Sequence, residues 1–301
     1  MSMKHAAPIC FIGRKSWHLL QTGSSASPGM VHLPVFGGRP PRGIPYAVTL
    51  HDLAFMADPS WFPPLRSLYY RTSFSRVSRG ADLVMVDSDF TGTEATRLLG
   101  LPPERIRRVY LSTGSFLSDP DRFIRQYGVD GPYAVFVGTV EPRKNVGALL
   151  DAWRLVRESR PDLTLVVAGR WGWGDPSLRR RLSDSPGVLW GGALPEPVLR
   201  SCISGACMLV YPSLYEGFGL PPLEAASAGV QSVVTPAGAL SEVYGDVAHM
   251  CPDYQAESIA ATMMTAMEDP REPEMLIAFA EEFSDLRMAR SVLEVYRELA
   301  S

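Results

Sequence analysis

From Tyr133 onward, short runs rich in β-branched residues alternate with segments whose apolar residues recur at helical spacing. That alternation is the pattern of βαβ units, and it commits this part of the chain to a parallel sheet covered by helices, an α/β doubly wound domain. The predicted strands are Tyr133–Val137, Leu163–Ala168, Gly187–Trp190, Cys207–Tyr211 and Val230–Val234. The clearest helix follows Asn145, where Leu149, Leu150, Trp153, Leu155 and Val156 share one face.

Before Gly131 the same alternation is shorter, with strands predicted at Tyr46–Leu50, Leu83–Val86 and Arg108–Leu111 and helices at about 64–79 and 90–99. Residues 1–45 contain many Gly, Pro and Ser; apart from a faint strand at Met30–Val35 they show no succession of strand, Gly-rich turn and helix. Ser112–Gly131 reads as a linker, and Asp285–Leu299 as a final amphipathic helix. A chain of 301 residues exceeds the size at which one core usually stops growing. The expected division is an abbreviated domain at 1–117, a second at 118–284, and a terminal helix at 285–301 able to cross back to the first.

Composition excludes several classes. At 46% hydrophobic and 20% charged residues the chain is neither disordered nor fibrous, and no stretch approaches the roughly 18 apolar residues of a membrane span. The run Ala6–Ile12 is too short and broken for a signal-peptide core, which predicts a cytoplasmic protein. Cys10, Cys202, Cys207 and Cys251 lack zinc-ligand spacing and read as buried thiols. The net charge of −3 divides unevenly: residues 1–130 hold 15 Lys plus Arg against 10 Asp plus Glu, and the remainder 14 against 22. A basic first half suits an anionic partner, such as the inner face of a membrane touched peripherally, although scattered solvated arginines give the same count. Trp61-Phe62 followed by Arg66, Arg71, Arg76 and Arg79 has the same two readings. No nucleic-acid partner is expected.

The region 211–224 carries the most chemistry. A strand ending at Tyr211 leads through a loop into a helix opened by Pro221-Pro222. Unpaired amides at a helix start favour an anion or a hydroxyl oxygen, and Gly217 and Gly219 let a ligand approach the backbone. Glu216 and Glu224 flank this loop, placed to grip sugar hydroxyls; as paired acids alone they also suit helix-dipole partners or an acid/base couple. Arg143 and Lys144 stand just beyond a strand's C-terminal end, where open α/β sheets bind ligands, and offer a planar fork and a point charge to phosphate. Gly172 and Gly174, between Trp171 and Trp173, do not form a dinucleotide fingerprint because the spacing fails.

Glu216-Gly-Phe-Gly-Leu-Pro-Pro-Leu-Glu224 resembles the donor site of the retaining glycosyltransferases of family 4, which adopt the two-domain GT-B fold. The resemblance extends over about residues 46–300. It takes in Val137-Gly-Thr-Val-Glu-Pro-Arg-Lys-Asn145, Ala168–Gly174, Gly191–Leu194, Pro236–Asp246, His51-Asp-Leu53 and Asp87-Ser-Asp-Phe-Thr91. It implies two Rossmann-like domains facing a central cleft, the first of them abbreviated here by about 40 to 60 residues before His51, a gap that Gly37-Gly38 does not replace.

By that resemblance Arg143 and Lys144 hold a diphosphate, Glu224 binds ribose, Glu216 and the amides of Phe218, Gly219 and Leu220 hold the transferred sugar, and backbone near Leu194 meets the base. Gly138, Gly169 and Gly217 complete the donor site, and His51 faces the sugar from the acceptor side, where it donates a hydrogen bond to a hydroxyl or to the reacting centre; the alternative for a lone histidine is a local backbone bond. The catalytic set is then His51, Glu216, Arg143 and Lys144. The implied activity is retaining transfer of a hexose from a GDP-mannose-like, UDP- or dTDP-sugar to a saccharide or lipid-linked acceptor, without metal or other cofactor. A nucleotide-sugar-binding scaffold that has lost turnover and a nucleotide-sugar epimerase are the alternatives.

Overall fold

The computed structural model describes residues 9–11, 29–34, 43–114, 116, 118–129 and 131–301. Val35, Gly37 and Gly38 of the motifs above lie outside them. The chain forms two compact units, Met1–Tyr110 with Leu286–Ser301, and Leu111–Asp285.

In the first unit the strands β1 (Ile9–Phe11), β2 (Met30–Leu33), β3 (Tyr46–Leu50), β4 (Leu83–Val86) and β5 (Ile106–Arg108) pair in parallel and lie side by side in chain order. α1 (Ala54–Ala57) and α2 (Pro64–Arg79) lie between β3 and β4, and α3 (Asp89–Leu99) between β4 and β5. α3 starts where Ser88 Oγ accepts a hydrogen bond from the Thr91 amide and stops at Gly100 in the left-handed region, φ 65°. The strand β1 corrects the reading of residues 1–45 as lacking an initial strand: three residues paired on one side only leave little periodicity, and the ladder with Met30–His32 makes the element. β5 also starts two residues before its predicted place, although the Val109 amide still donates to the Val86 carbonyl at 2.8 Å.

The second unit holds β6 (Tyr133–Val137), β7 (Thr164–Ala168), β8 (Val188–Gly192), β9 (Met208–Tyr211), β10 (Ser232–Val234) and β11 (His249–Met250), all parallel. Its helices are α4 (Asp121–Tyr127), α5 (Val146–Ser159), α6 (Pro176–Asp184), α7 (Glu196–Ser204), α8 (Leu220–Ser227), α9 (Ala239–Tyr244), α10 (Ala256–Glu268) and α11 (Pro273–Glu281). Strand order across the sheet is β11-β10-β9-β6-β7-β8. The chain therefore winds outward from β6 through β7 to β8, then returns to the other side of β6 as β9. The point of reversal lies between β6 and β9, and the crevice beyond the C-terminal ends of two such strands is where open α/β sheets take ligands. β6 and β9 are buried along their whole length, as strands covered on both faces must be.

The predicted linker Ser112–Gly131 contains α4. Its Phe123 is wholly buried, stacks on Tyr127 at 4.8 Å and donates its amide to Ser201 Oγ at 2.7 Å. Seven residues held by one inward aromatic give no repeat for a periodicity argument to find.

The last helix, α12 (Asp285–Leu299), packs Val295, Tyr296 and Leu299 with Met30, Ala47, Leu83, Met85 and Val109 of the first unit's sheet. The opposite face of that sheet packs with α1, α2 and α3 through Phe55, Val77, Ala95 and Leu99.

Candidate functional site

Two loops flank the reversal between β6 and β9. After β6 the chain turns through Gly138, makes a short 3-10 turn at Pro142–Lys144, and enters α5 at Asn145, which takes the left-handed region, φ 53°. Asn tolerates that conformation better than most side chains, and here its amide donates to the Tyr254 carbonyl at 3.1 Å. After β9 the loop 212–219 leads to α8. The two loops are stitched by the Leu214 amide on the Arg143 carbonyl at 2.8 Å.

This brings Arg143, Lys144 and Glu216 together. Lys144 Nζ lies 2.5 Å from Glu216 Oε1 and 2.5 Å from the Tyr211 hydroxyl, over whose ring it sits at 4.6 Å. Arg143 reaches Glu216 Oε2 at 3.1 Å and donates to the Tyr215 carbonyl at 2.9 Å, while its other edge meets Glu141 Oε1 at 3.1 and 3.2 Å. Glu216, Glu141 and Lys144 are all buried. Burial alone would raise the Glu216 carboxyl, yet Lys144 and Arg143 hold it down to about 2. Burial lowers the Lys144 ammonium below its ordinary value, against the pull of Glu216. Two cations and two carboxylates thus balance in a small volume next to the reversal point.

Glu141 and Tyr211 were missed as site residues by sequence reasoning. Glu141 stands in the Glu-Pro-Arg-Lys string itself, and Tyr211 ends the strand before the loop, so both signals were present without a geometry to read them.

The loop after β7 buttresses the loop after β6. Val140 donates to the Arg170 carbonyl and Gly172 to the Val140 carbonyl. A Cβ on Gly169 would stand 1.7 Å from the Gly138 carbonyl oxygen, so only glycine permits this approach. Trp190 Nε1 donates to the Gly169 carbonyl at 2.8 Å and fixes it from the far side. Backbone at Arg170, Trp171 and Gly172 therefore braces the loop after β6.

Residues 119–283, more than half of the chain, match the family model of "Glycosyl transferases group 1". The chain belongs to this family. Residues 11–111 match a "Glycosyl transferase 4-like domain". The Escherichia coli O-antigen chain mannosyltransferase B is 31% identical over 265 residues, covering 83% of this chain and 70% of the relative. A Mycolicibacterium hassiacum MMP α-(1→4)-mannosyltransferase is 26% identical over 76% of this chain and 58% of its own. Among solved structures, Anabaena HepE in complex with UDP and glucose superposes with a TM-score of 0.71 at 19% identity, covering 85% of this chain and 72% of that one. Sucrose-phosphate synthase from Thermosynechococcus elongatus gives 0.72 at 19%, over 90% and 73%. These last two likenesses show the fold, which is GT-B, and the protein is a transferase enzyme.

The glycosyltransferase's remaining expected donor residues sit as follows. Gly219 has φ 89° and precedes α8; a Cβ there would meet Leu240 Cδ2 at 2.5 Å, and its carbonyl accepts from Tyr244 Oη at 2.6 Å. Phe218 turns its ring into the core against Tyr244 and Phe283. Gly217 is buried and Leu220 is exposed at the first turn of α8. Glu224 is half-buried on α8, its carboxyl pushed up by burial and by Glu196 against the opposing Arg200. Leu194 is half-buried in the loop after β8, against Gly191.

His51 belongs to the other unit of the glycosyltransferase, at the C-terminal end of β3. Its Nδ1 lies 2.7 Å from Asp87 Oδ2 and its Nε2 2.9 Å from the Pro34 carbonyl oxygen. Asp87 was quoted within a motif but given no role; its place at the end of the neighbouring strand β4 is what pairs it with His51. No group of three or more His, Cys, Asp or Glu among the described residues is arranged to hold a metal ion. No described helix is long and apolar enough to cross a membrane.

Proposed function

We propose that this glycosyltransferase moves a hexose, with retention, from a nucleotide diphosphate sugar to a hydroxyl of a saccharide or lipid-linked acceptor. The observation that carries the reading is the Arg143, Lys144 and Glu216 cluster beside the chain reversal of the second unit. A departing nucleotide diphosphate gathers negative charge as the glycosidic bond breaks, and fixed cations beside it lower that barrier. Arg143 and Lys144 supply them, and the amides at the start of α8 add the positive end of a helix dipole. Arg143 and Lys144, drawn toward the arriving diphosphate, release the Glu216 carboxylate to accept from sugar hydroxyls. The diphosphate leaves from the face that the acceptor attacks and its freed oxygen takes the acceptor's proton, so the step needs neither a protein nucleophile nor a protein base. The mannosyltransferase relatives favour mannose as the hexose, with GDP, UDP or dTDP as the donor nucleotide, and the reaction is proposed to run without metal or other cofactor.

Calorimetry against GDP, UDP and dTDP, followed by transfer and hydrolysis assays with the matching sugars in the presence and absence of chelator, tests this. Micromolar binding of one nucleotide and acceptor-dependent transfer are expected. Binding no better than millimolar overturns the donor site; donor affinity without transfer or hydrolysis favours the scaffold reading, and product without acceptor favours the epimerase.

The proposal for a peripheral membrane contact rests on α2. That helix carries Arg66, Arg71, Arg76 and Arg79 and no acidic residue, and it leaves Leu65, Leu68 and Tyr69 exposed at 84%, 59% and 58%. Apolar side chains beside arginines suit the headgroup layer of an anionic bilayer, where each cation contributes about 1 kcal/mol. Co-sedimentation with phosphatidylglycerol vesicles but not with phosphatidylcholine vesicles, lost in a Leu65→Asp/Leu68→Asp variant, is expected. Equal partition to both vesicle types counts against it.

A further inference from the structure

The His51 imidazole bridges three strand ends at the C-terminal rim of the first unit's sheet: it ends β3, and it contacts Pro34 just past β2 and Asp87 just past β4. Both ring nitrogens face oxygen acceptors, a carboxylate at 2.7 Å and a carbonyl at 2.9 Å. A carbonyl has no proton to give, so Nε2 must carry one. The contact between Nδ1 and Asp87 needs a second, held either by the ring or by the carboxyl.

We infer that this second proton sits on the ring, so that Asp87 is a positioning residue that keeps His51 an imidazolium, and that His51 serves the transfer as a fixed cation and hydrogen-bond donor rather than as a base. The role in transfer rests on the function proposed above; the protonation state does not.

The charged groups around the ring agree. An imidazole is ordinarily more basic than a carboxylate by over two pH units. With the proton on the ring both groups are charged: half of the His51 side chain meets solvent and hydrates its charge, while Asp87, 2% exposed, keeps its own only against that proton. Asp52, on the same loop, adds a second negative charge that raises His51. His32, the remaining titratable neighbour on β2, is lowered to about 4, first by burial and then by His51 itself, so it stays neutral and does not oppose the charge. The His32 ring is in turn fixed by Tyr296 at 2.7 Å and Thr49 at 2.8 Å. Burial lowers His51, and the Asp87 bond and charge more than restore it. Burial raises Asp87 above its ordinary value, and the His51 proton draws it only part of the way back.

An imidazolium cannot take a proton from an acceptor hydroxyl. It can exchange the Pro34 carbonyl for a substrate oxygen at Nε2, delivering a charged donor with no change in protonation.

The test is ¹⁵N spectroscopy of the full chain labelled at histidine, titrated from acid to mildly alkaline pH. Both His51 nitrogens protonated at about pH 7, with a midpoint above the ordinary value of about 6.5, is expected. In Asp87→Asn the midpoint falls by about one unit or more. A neutral ring with its proton on Nε2 at about pH 7 in the wild type overturns the inference, and this measurement stands whether or not the variant folds. In the transfer assay, His51→Ala is expected to lose on the order of 100-fold in kcat. His51→Gln, which keeps a donor but cannot act as a base, recovers part of that loss. Glutamine no better than alanine overturns the donor role. Protonated His51 with no transfer by the wild type under any condition sinks the proposed function and leaves the protonation state intact.

Discussion

Lys144 Nζ lies 2.5 Å from Glu216 Oε1 although 72 residues separate them and both are buried. This pair joins the loop expected to hold the diphosphate to the loop expected to hold the sugar, so the two halves of donor recognition share one ion cluster. Its consequences are measurable.

Removing Lys144 leaves Glu216 charged and buried with only Arg143, at 3.1 Å, opposite it. Lys144→Ala is expected to destabilise the second unit by about 3–5 kcal/mol in urea unfolding. Lys144→Met with Glu216→Leu, which removes both charges, is expected to recover most of that loss. A cost below about 1 kcal/mol for the single variant would show that the pair is solvated, as surface pairs are.

Arg143→Ala and Lys144→Ala should each weaken binding of the cognate nucleoside diphosphate by about 1.5–3 kcal/mol, the range for hydrogen bonds to charged groups. Glu216→Gln works the other way on the bare nucleotide, because it removes a carboxylate that competes for both cations. Tighter nucleoside diphosphate binding with weakened transfer is the expected combination, read by calorimetry and turnover. Unchanged affinity in both cation variants refutes their assignment.

The Glu216 carboxyl is held at about 2 against an ordinary 4.5. A depressed folded-state value means stability that is present above about pH 4.5 and lost as pH falls toward about 2, on the order of 3 kcal/mol in all. Wild type and Glu216→Gln should therefore differ in the acid dependence of their unfolding free energy over that window. Parallel curves would exclude the ion pair as the cause.

Gly169→Ala drives a methyl group into the Gly138 carbonyl oxygen. Backbone cannot yield as a side chain can, so the variant should either lose about 3 kcal/mol or more or fold with the β6 loop displaced and nucleotide affinity lost. Gly147→Ala, in open space on α5, is the matched control and should be neutral or slightly stabilising. Equal stability of the two variants would contradict the close approach of the β6 and β7 loops.

The strands β3, β4 and β6 were legible residue for residue, because a buried parallel strand is an uninterrupted apolar run bounded by turns, and α12 because its periodicity persists over four turns. β1, β5 and α4 were misread or unseen. Each is seven residues or fewer and owes its existence to a partner: Met30–His32 for β1, Val84–Val86 for β5, Ser201 and the core around Phe123 for α4.

The same division holds at the site. The sequence alone determined which loops are expected to carry the chemistry, since Arg143-Lys144, Glu216 through Glu224 and His51-Asp52 are local strings whose residue types point to a use. Only the tertiary structure decided what those groups do to one another. Strand order places the β6 and β9 loops side by side, which turns Glu216 from a lone acid into the counter-ion of two cations, and β4 beside β3 supplies His51 with Asp87. Charge interactions fall with distance and rise with burial, and neither quantity is written in the order of residues along a chain.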